Sequence, residues 1–436
     1  MLIRFSVENF LSFLGKETLD LTAVNTCKER SAENTFEKGG ETLLKSVVLY
    51  GSNASGKSNL IIALQFFCQT VLYSATNSFS SEKIKVIPFL LKSGNKEKPS
   101  RLEIEFFLNE KRYCYGFCAT EDKFVQEWLY EQGKLVFMRQ NSANEDVIQV
   151  ERIWKKASGL EERTRKNALF LSVCAQFAVP EAEKIIHWFY TKLHVVFAER
   201  TSSFKSYSAK QFYSGKYRDE ILDFLRNADT NITNLVVTEK NEDDNAVIPA
   251  EGPRGEMPVK RKIWKVHSLH NIYNESEQVV DQIEWSFEGL ESQGTQKAFA
   301  LAGPVIDTLK TGAILVVDEL DAQLHPIFTR QIVRMFNSSK INPLNAQLIF
   351  NTHDTNLLSY KIYDDKCEKE ENMFRRDQIY FAEKDRVEAT HLYSLIEFKK
   401  RGTKKVRNDA SFEKDYLNGD YGAIPFIGDL ITRGDK

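Results

Sequence analysis

The sequence predicts an α/β chain. A mixed sheet flanked by helices is joined to an antiparallel β subdomain, and a mainly helical segment is inserted between the two halves. Three observations predict it. Val47-Val48-Leu49-Tyr50 is a short β-rich run that enters a Gly/Ser/Asn cluster, and an apolar helix follows from Leu60 to Leu72. Ala313-Ile314-Leu315-Val316-Val317 and Ala346-Gln347-Leu348-Ile349-Phe350 are apolar runs of the kind that marks strands buried on both faces of a parallel sheet. From about residue 100 to 138 the pattern alternates instead, as in an antiparallel meander.

The elements follow in order. Met1 to Glu8 alternates like a strand and lacks the basic-then-apolar layout of a signal peptide. Leu102–Phe106, Tyr113–Cys118 and Val136–Met138 are the meander strands. From about 150 to 235 the character is helical, with many Lys and Arg. The polar stretch Glu239 to Lys262 carries Asp243, Asp244, Pro249, Gly252, Pro253, Gly255 and Pro258, the composition of a mobile loop. Strands resume at Ile263 and run to Phe287, and Ala298 to Leu309 is an apolar helix. Asp377 to Glu383 and Val387 to Leu392 close the sheet. The expected division is a first half at 1–145, an inserted helical lobe at 146–262 with a flexible loop at 239–262, and a second half at 263–436 with a C-terminal extension.

Composition narrows the function classes. The chain has 436 residues, 59 Lys plus Arg against 61 Asp plus Glu, and a net charge of −2, which argues against indiscriminate DNA binding by a basic coat. No apolar run approaches the roughly 20 residues that span a bilayer, so a cytoplasmic protein without a membrane partner is expected. Six scattered cysteines do not form a disulfide framework. The close pair Cys114 and Cys118 lacks the two further ligands a metal site needs.

The chemistry lies in four short motifs. Gly51-Ser52-Asn53-Ala54-Ser55-Gly56-Lys57-Ser58 fits G-x-x-x-x-G-K-[ST] at every fixed position, between a strand and a helix, with Asn59 next. The backbone N–H groups of such a loop cradle phosphates, Lys57 reaches the β- and γ-phosphates, and the Ser58 hydroxyl ligates Mg²⁺. ATP and Mg²⁺ are the expected cofactors. Ile314 to Glu319 is four apolar residues followed by two carboxylates. A strand ending in Asp318 places that acid beside the metal, and Glu319 is placed to deprotonate the attacking water. Asn351-Thr352-His353-Asp354 follows the next buried strand, where His353 would touch the γ-phosphate; a loop histidine without a role is the plain alternative. Glu291-Ser292-Gln293-Gly294 opens a helix. Ser292 and Gly294 make a second anion-binding nest, although a Ser N-cap explains them equally well. One chain has one P-loop, so the natural ligand of this nest is a nucleotide on another copy.

The order of P-loop, Ser292-x-Gly294, Asp318-Glu319 and His353 resembles the ABC-type ATPase head shared by transporters, SMC proteins, RecF and OLD-family ATPases. The resemblance implies that Ser292 and Gly294 cap the ATP of the opposite subunit, that Glu319 is the catalytic base, that His353 is the γ-phosphate switch, and that Asp321 stands at the D-loop. Glu291 and Gln293 depart from the family's Leu-Ser-Gly-Gly. The glutamine loop has no clear match, Gln126 being one option. Ile3 to Phe13, Asp318-Glu319-Leu320 with Leu324-His325-Pro326, and Phe412 to Pro425 narrow the likeness further. They resemble the RloA-like and AbiL-like ATPases of phage-defence and abortive-infection operons, relatives of the PARIS ATPase. That group implies a sensor and scaffold controlling a separately encoded effector, such as a Toprim-type nuclease or toxin, with DNA or a phage protein as trigger. The alternative is a RecF-like repair ATPase acting directly on DNA. Split sites imply a homodimer, with higher homo-oligomers left open.

The 235 positions between Lys57 and Ser292 exceed what a transporter head needs, which implies the inserted lobe. No sustained heptads mark a long coiled coil. Tyr207, Phe212, Tyr213 and Tyr217 interleave with Lys205, Lys210, Lys216 and Arg218; this fits a nucleic-acid surface, a protein surface, or a solvated face over core aromatics. The run Lys399-Lys400-Arg401, Lys404-Lys405 and Arg407 carries the same alternatives.

Overall fold

The computed structural model describes residues 1–76, 79, 81–142, 145–197, 201–241, 262–364, 369–400 and 404–425. Two sheets organise them. The first has six strands in the order Leu193–Val196, Ile314–Val317, Gln347–Asn351, Ser46–Tyr50, Ile379–Lys384 and Thr390–Ser394. Its first five strands run parallel, and the last pairs antiparallel. The second has seven antiparallel strands, from Asp146–Val150 at one edge to Glu17–Asp20 at the other.

The parallel sheet divides two hydrophobic cores, as the continuous apolar runs predict. Side chains alternate across a strand, so each run feeds both faces. Val47, Leu49, Ile314, Val316 and Ile349 join Phe5, Leu64, Phe67 and the antiparallel sheet. Val48, Tyr50, Leu315, Val317, Leu348 and Phe350 join Phe299, Leu301 and Val305 on the other side. The helix Lys57–Tyr73 lies in the first core, where Phe67 stacks on Phe117 with ring centroids 5.1 Å apart. By length and composition Lys57–Thr76 would suffice to cross a membrane, but Leu60, Ile61, Leu64 and Phe67 are buried inside the protein.

The segment 146–262 is mainly helical up to Arg226, and it is laid against the head rather than set apart from it. Asp146–Val150 extends the antiparallel sheet. The helices Phe170–Gln176 and Pro180–Lys192 bury Trp188 and Phe189 in the first core. Leu193–Val196 is the edge strand of the parallel sheet beside Ile314–Val317. The helices Thr201–Tyr213 and Arg218–Arg226 rest on Gln293–Thr311 and bury Phe212, Ile221 and Leu225 in the second core. The aromatic and basic mixture thus goes largely to structure. The Tyr207 and Tyr217 hydroxyls donate to Asp307, and Lys216 pairs with the same carboxylate.

Asn234–Asn241 pairs with Lys262–Tyr273, which pairs with Val279–Ser286, to form a separate three-stranded sheet. Glu239–Asn241 and Lys262 are ladder residues rather than loop, which corrects the expected bounds 239–262 at both ends; positions 242–261 lie outside the described residues. Arg401 and Cys367 also lie outside them. The other five cysteines are free, and four of these are buried, consistent with packing roles.

Candidate functional site

The C-terminal ends of the central strands carry the site. The loop after Ser46–Tyr50 turns through Gly51 (φ 153°), Ala54 (φ 60°) and Gly56 (φ 103°) into the helix that begins at Lys57. A side chain at position 51 would strike the Ala382 carbonyl, and one at 56 would strike the Thr390 hydroxyl. Both positions therefore need glycine for space as well as for conformation. Thr390 Oγ1 donates to the Ser55 carbonyl at 2.8 Å and accepts from Ser12 Oγ at 2.8 Å, while Asn59 Nδ2 donates to Ser12 Oγ at 2.8 Å. The loop is thus braced by the N-terminal segment and the last sheet strand.

Lys57 is 5% exposed and donates to the Gly51 and Ser52 carbonyls at 2.8 and 2.9 Å. Ser55 Oγ is buried without a hydrogen-bond partner, the state of a group shaped to meet a ligand oxygen. A cleft of about 520 Å³ is lined by Asn53 to Asn59, Glu319, Asn351, His353 and Lys384. Asp318 follows the strand Ile314–Val317, and its backbone N–H donates to Val196. Asn351 donates through Nδ2 to Asp318, and its Oδ1 accepts the Glu319 backbone N–H. Glu319 sits at φ 53°, left-handed backbone that a non-glycine residue holds only under restraint. The His353 N–H donates to Asp321 Oδ2 at 3.2 Å, and Asp321 Oδ1 is buried and unpartnered.

Most of the residues singled out in the sequence thus converge on one cleft. Ser292 and Gly294 do not line it. Ser292 is exposed and caps the helix Gln293–Thr311 by accepting the Thr295 N–H at 3.0 Å. Gly294 approaches the Gln323 carbonyl, and Gln323 Nε2 donates to Gln293 Oε1 at 3.3 Å, so this nest sits against the segment that follows Asp321. Gln126 lies exposed on an antiparallel strand, where Cys118 donates to it at 3.6 Å.

The family model described as "AAA domain, putative AbiEii toxin, Type IV TA system" matches residues 46–139 and 162–359, which hold all four motifs. The chain belongs to this family. It is an AAA-type ATPase, with nucleotide hydrolysis as the family's activity. Similar solved structures include the SMC head domain from Thermotoga maritima, 12% identical, covering 90% of this chain and 98% of that one at a TM-score of 0.37. Another is cbiO1 from Clostridium perfringens, part of the ABC transporter complex cbiONQ, 11% identical, covering 81% and 80% at a TM-score of 0.28. No curated protein matches the chain.

Charge in this AAA domain is arranged around buried lysines. Burial pushes Lys57 down to about 8, although Glu319, Asp318 and Asp321 pull it up. Burial, with Lys57 adding to it, also lowers His353, which leaves the ring neutral at pH 7 and able to donate or accept. Sequence reasoning missed three residues here. Asn351 stands in the sequence only as part of the strand-tip motif, yet it is fully buried and ties the two acids together. Lys297 is 3% exposed on the helix that Ser292 caps, and its lowered pKa is set first by burial, with Glu319, Asp318 and Asp321 opposing. Lys384 reaches the cleft from the strand Ile379–Lys384. A long basic side chain at a strand end is a signal for Lys384; nothing in the local pattern marks the other two.

The donor set suits a magnesium nucleotide. Among the described residues no group of three or more His, Cys, Asp or Glu forms a metal cage. A cation at Ser58 and Asp318 would accordingly be completed by phosphate oxygens and water, as Mg²⁺ prefers.

Proposed function

We propose that two copies of this chain clamp two ATP molecules between them, and that the clamp is the sensor and scaffold subunit of a bacterial anti-phage, abortive-infection system. In this reading it holds a separately encoded effector, such as a Toprim-type nuclease or toxin, until DNA or a phage protein acts as trigger. Lys57 and the N–H groups of residues 52–58 hold the β- and γ-phosphates. Mg²⁺ on Ser58 and Asp318 would neutralise charge on the β- and γ-oxygens. The Glu319 carboxylate takes the proton of the attacking water as the bond to the leaving ADP oxygen breaks. His353, neutral, reports the γ-phosphate to Asp321 through its own backbone N–H, which donates to the Asp321 carboxylate. Ser292 and the N–H of Gly294 complete the partner's site.

The observation that carries the shared site is the position of Ser292. It is exposed at a helix start, outside the cleft that holds the other motifs. The abortive-infection half is supported by the family description, which names a toxin of a toxin–antitoxin system.

Light scattering of the wild type and Glu319→Gln, with and without ATP and Mg²⁺, tests it. Glu319→Gln is expected to lower turnover by about 10²-fold or more and to hold an ATP-dependent dimer that retains the product of the neighbouring gene. A chain that stays monomeric with ATP overturns the shared site. ATPase stimulation by DNA, without retention of a neighbour, would replace the scaffold by the RecF-like reading.

A further inference from the structure

Glu291 stands where the resembled ATPases carry an apolar residue, directly before Ser292. Its side chain is only 6% exposed and has specific partners. Ser268 Oγ donates to Glu291 Oε1, and His270 Nε2 lies 2.7 Å from the same oxygen. Both residues belong to Lys262–Tyr273, the middle strand of the three-stranded sheet. The His270 ring is held against Trp285 of the next strand, with centroids 4.4 Å apart. From the other side, Gln296 Nε2 donates to the Glu291 carbonyl at 3.0 Å, and the Gln296 N–H donates to the Ser292 carbonyl at 2.9 Å. Lys205 of the helix Thr201–Tyr213 holds Gln296 Oε1 at 2.6 Å. A buried carboxylate is costly unless paired, so this one constrains the backbone on either side of it.

We propose that Glu291 is a positioning residue that fixes Ser292 to the three-stranded sheet through Ser268 and His270, so that the placement of this sheet sets whether Ser292 can complete the partner's ATP site. This rests on the shared-site reading above. The linkage has a direction. The outer strand Val279–Ser286 is exposed at every position except Trp285. A displacement of that strand passes through Trp285 and His270 to Glu291, and so to the residue beside it. The P-loop cleft has no side chain in this chain of contacts, so nucleotide binding by one chain does not depend on it.

The test measures two quantities in a Glu319→Gln background: the affinity of the monomer for ATP at high dilution, and the ATP concentration that half-saturates dimer formation. Glu291→Leu is expected to leave the first within twofold. It should raise the second about tenfold, the scale of one lost hydrogen bond to a charged group. Glu291→Gln, which keeps an acceptor oxygen for Ser268 and His270, is expected to retain most of the wild-type response. His270→Ala should reproduce the Leu effect, and the double variant should be no worse than either single one, the sign of a shared interaction. Melting temperatures separate a folding defect from a positioning one. Ser292→Ala is the control on the underlying reading. If it leaves dimer formation unchanged, the shared-site reading falls and this inference falls with it. If Ser292→Ala weakens the dimer and Glu291→Leu does not, the inference alone is overturned.

Discussion

The cleft and the Ser292 nest are built to opposite plans. The cleft is framed by buried strands and by backbone that leaves no space for a side chain at two positions. A Cβ at Gly51 or Gly56 would strike Ala382 or Thr390, and Asn351 is fully buried between Asp318 and the Glu319 backbone. The nest is attached to a small sheet whose outer strand faces solvent, and its serine is exposed. A site made within one chain can be rigid, because its parts never separate. A site made by two chains needs one half that adjusts. On the proposed shared-site reading, chemistry falls to the first region and regulation to the second, and that division can be broken by experiment.

The largest expected effect lies at Asn351. Its side chain holds Asp318 and also holds Glu319 in left-handed backbone. Asn351→Ala removes both restraints and leaves a backbone N–H without its partner. The expected outcome is a fall in kcat of roughly 10²-fold with ATP binding changed only several-fold, since a misplaced base acts on the chemical step. Asn351→Asp should be worse, because it sets a like charge against Asp318. Steady-state ATPase assays decide. A loss below threefold in Asn351→Ala would show that the cleft does not depend on this frame.

A smaller effect follows from Lys57. Burial lowers it from 10.5 to about 8, and bound phosphate favours the charged form again. Below about pH 8 the side chain is already charged in the free protein. Above it, ATP binding must bring a proton in. Affinity is therefore expected to be flat up to about pH 8 and then to fall by at most about tenfold per pH unit toward 10.5. The sign for stability is the reverse: the buried charge costs the free chain stability below about 8, and this cost fades between 8 and 10.5. Calorimetry in buffers of different ionisation enthalpy would detect the proton uptake. An affinity that is flat to pH 10 would contradict the assignment of Lys57 to phosphate.

How much of this was legible in the sequence follows the same division. The cleft was, because its determinants are local. A Gly-rich loop between an apolar run and an apolar helix, and two acids at a strand end, are contiguous signals. The two-faced core was legible for a similar reason, since unbroken runs such as Ile314 to Val317 fit no surface strand. Asn351 was not, because its role depends on the parallel pairing of Gln347–Asn351 with Ile314–Val317, which brings positions 33 apart side by side. Leu193–Val196 was missed as a core strand because it follows a helix directly and is only four residues long. The partners of Glu291 come from a strand some 20 positions upstream, and a glutamate in a signature motif reads as surface charge until its burial is seen.

The smallest expected effect tests where the C-terminal segment belongs. Its helix Phe412–Leu417 lies beside the cleft. Tyr416 stacks on Phe381 at 5.3 Å and approaches Tyr50 at 5.7 Å, and Thr355, two residues after His353, donates to Glu413 Oε1 at 2.9 Å. These contacts place the segment with the rigid region. Glu413→Gln keeps an acceptor for Thr355 and removes only charge. It is expected to shift the melting temperature by about 2 °C or less and kcat/KM for ATP by less than twofold, the scale of one partly exposed hydrogen bond in a chain of this size. A tenfold fall in kcat with an unchanged melting temperature would have a different meaning. It would move Glu413 into the switch around His353 and make the C-terminal helix a second adjustable part, on the rigid side of the molecule.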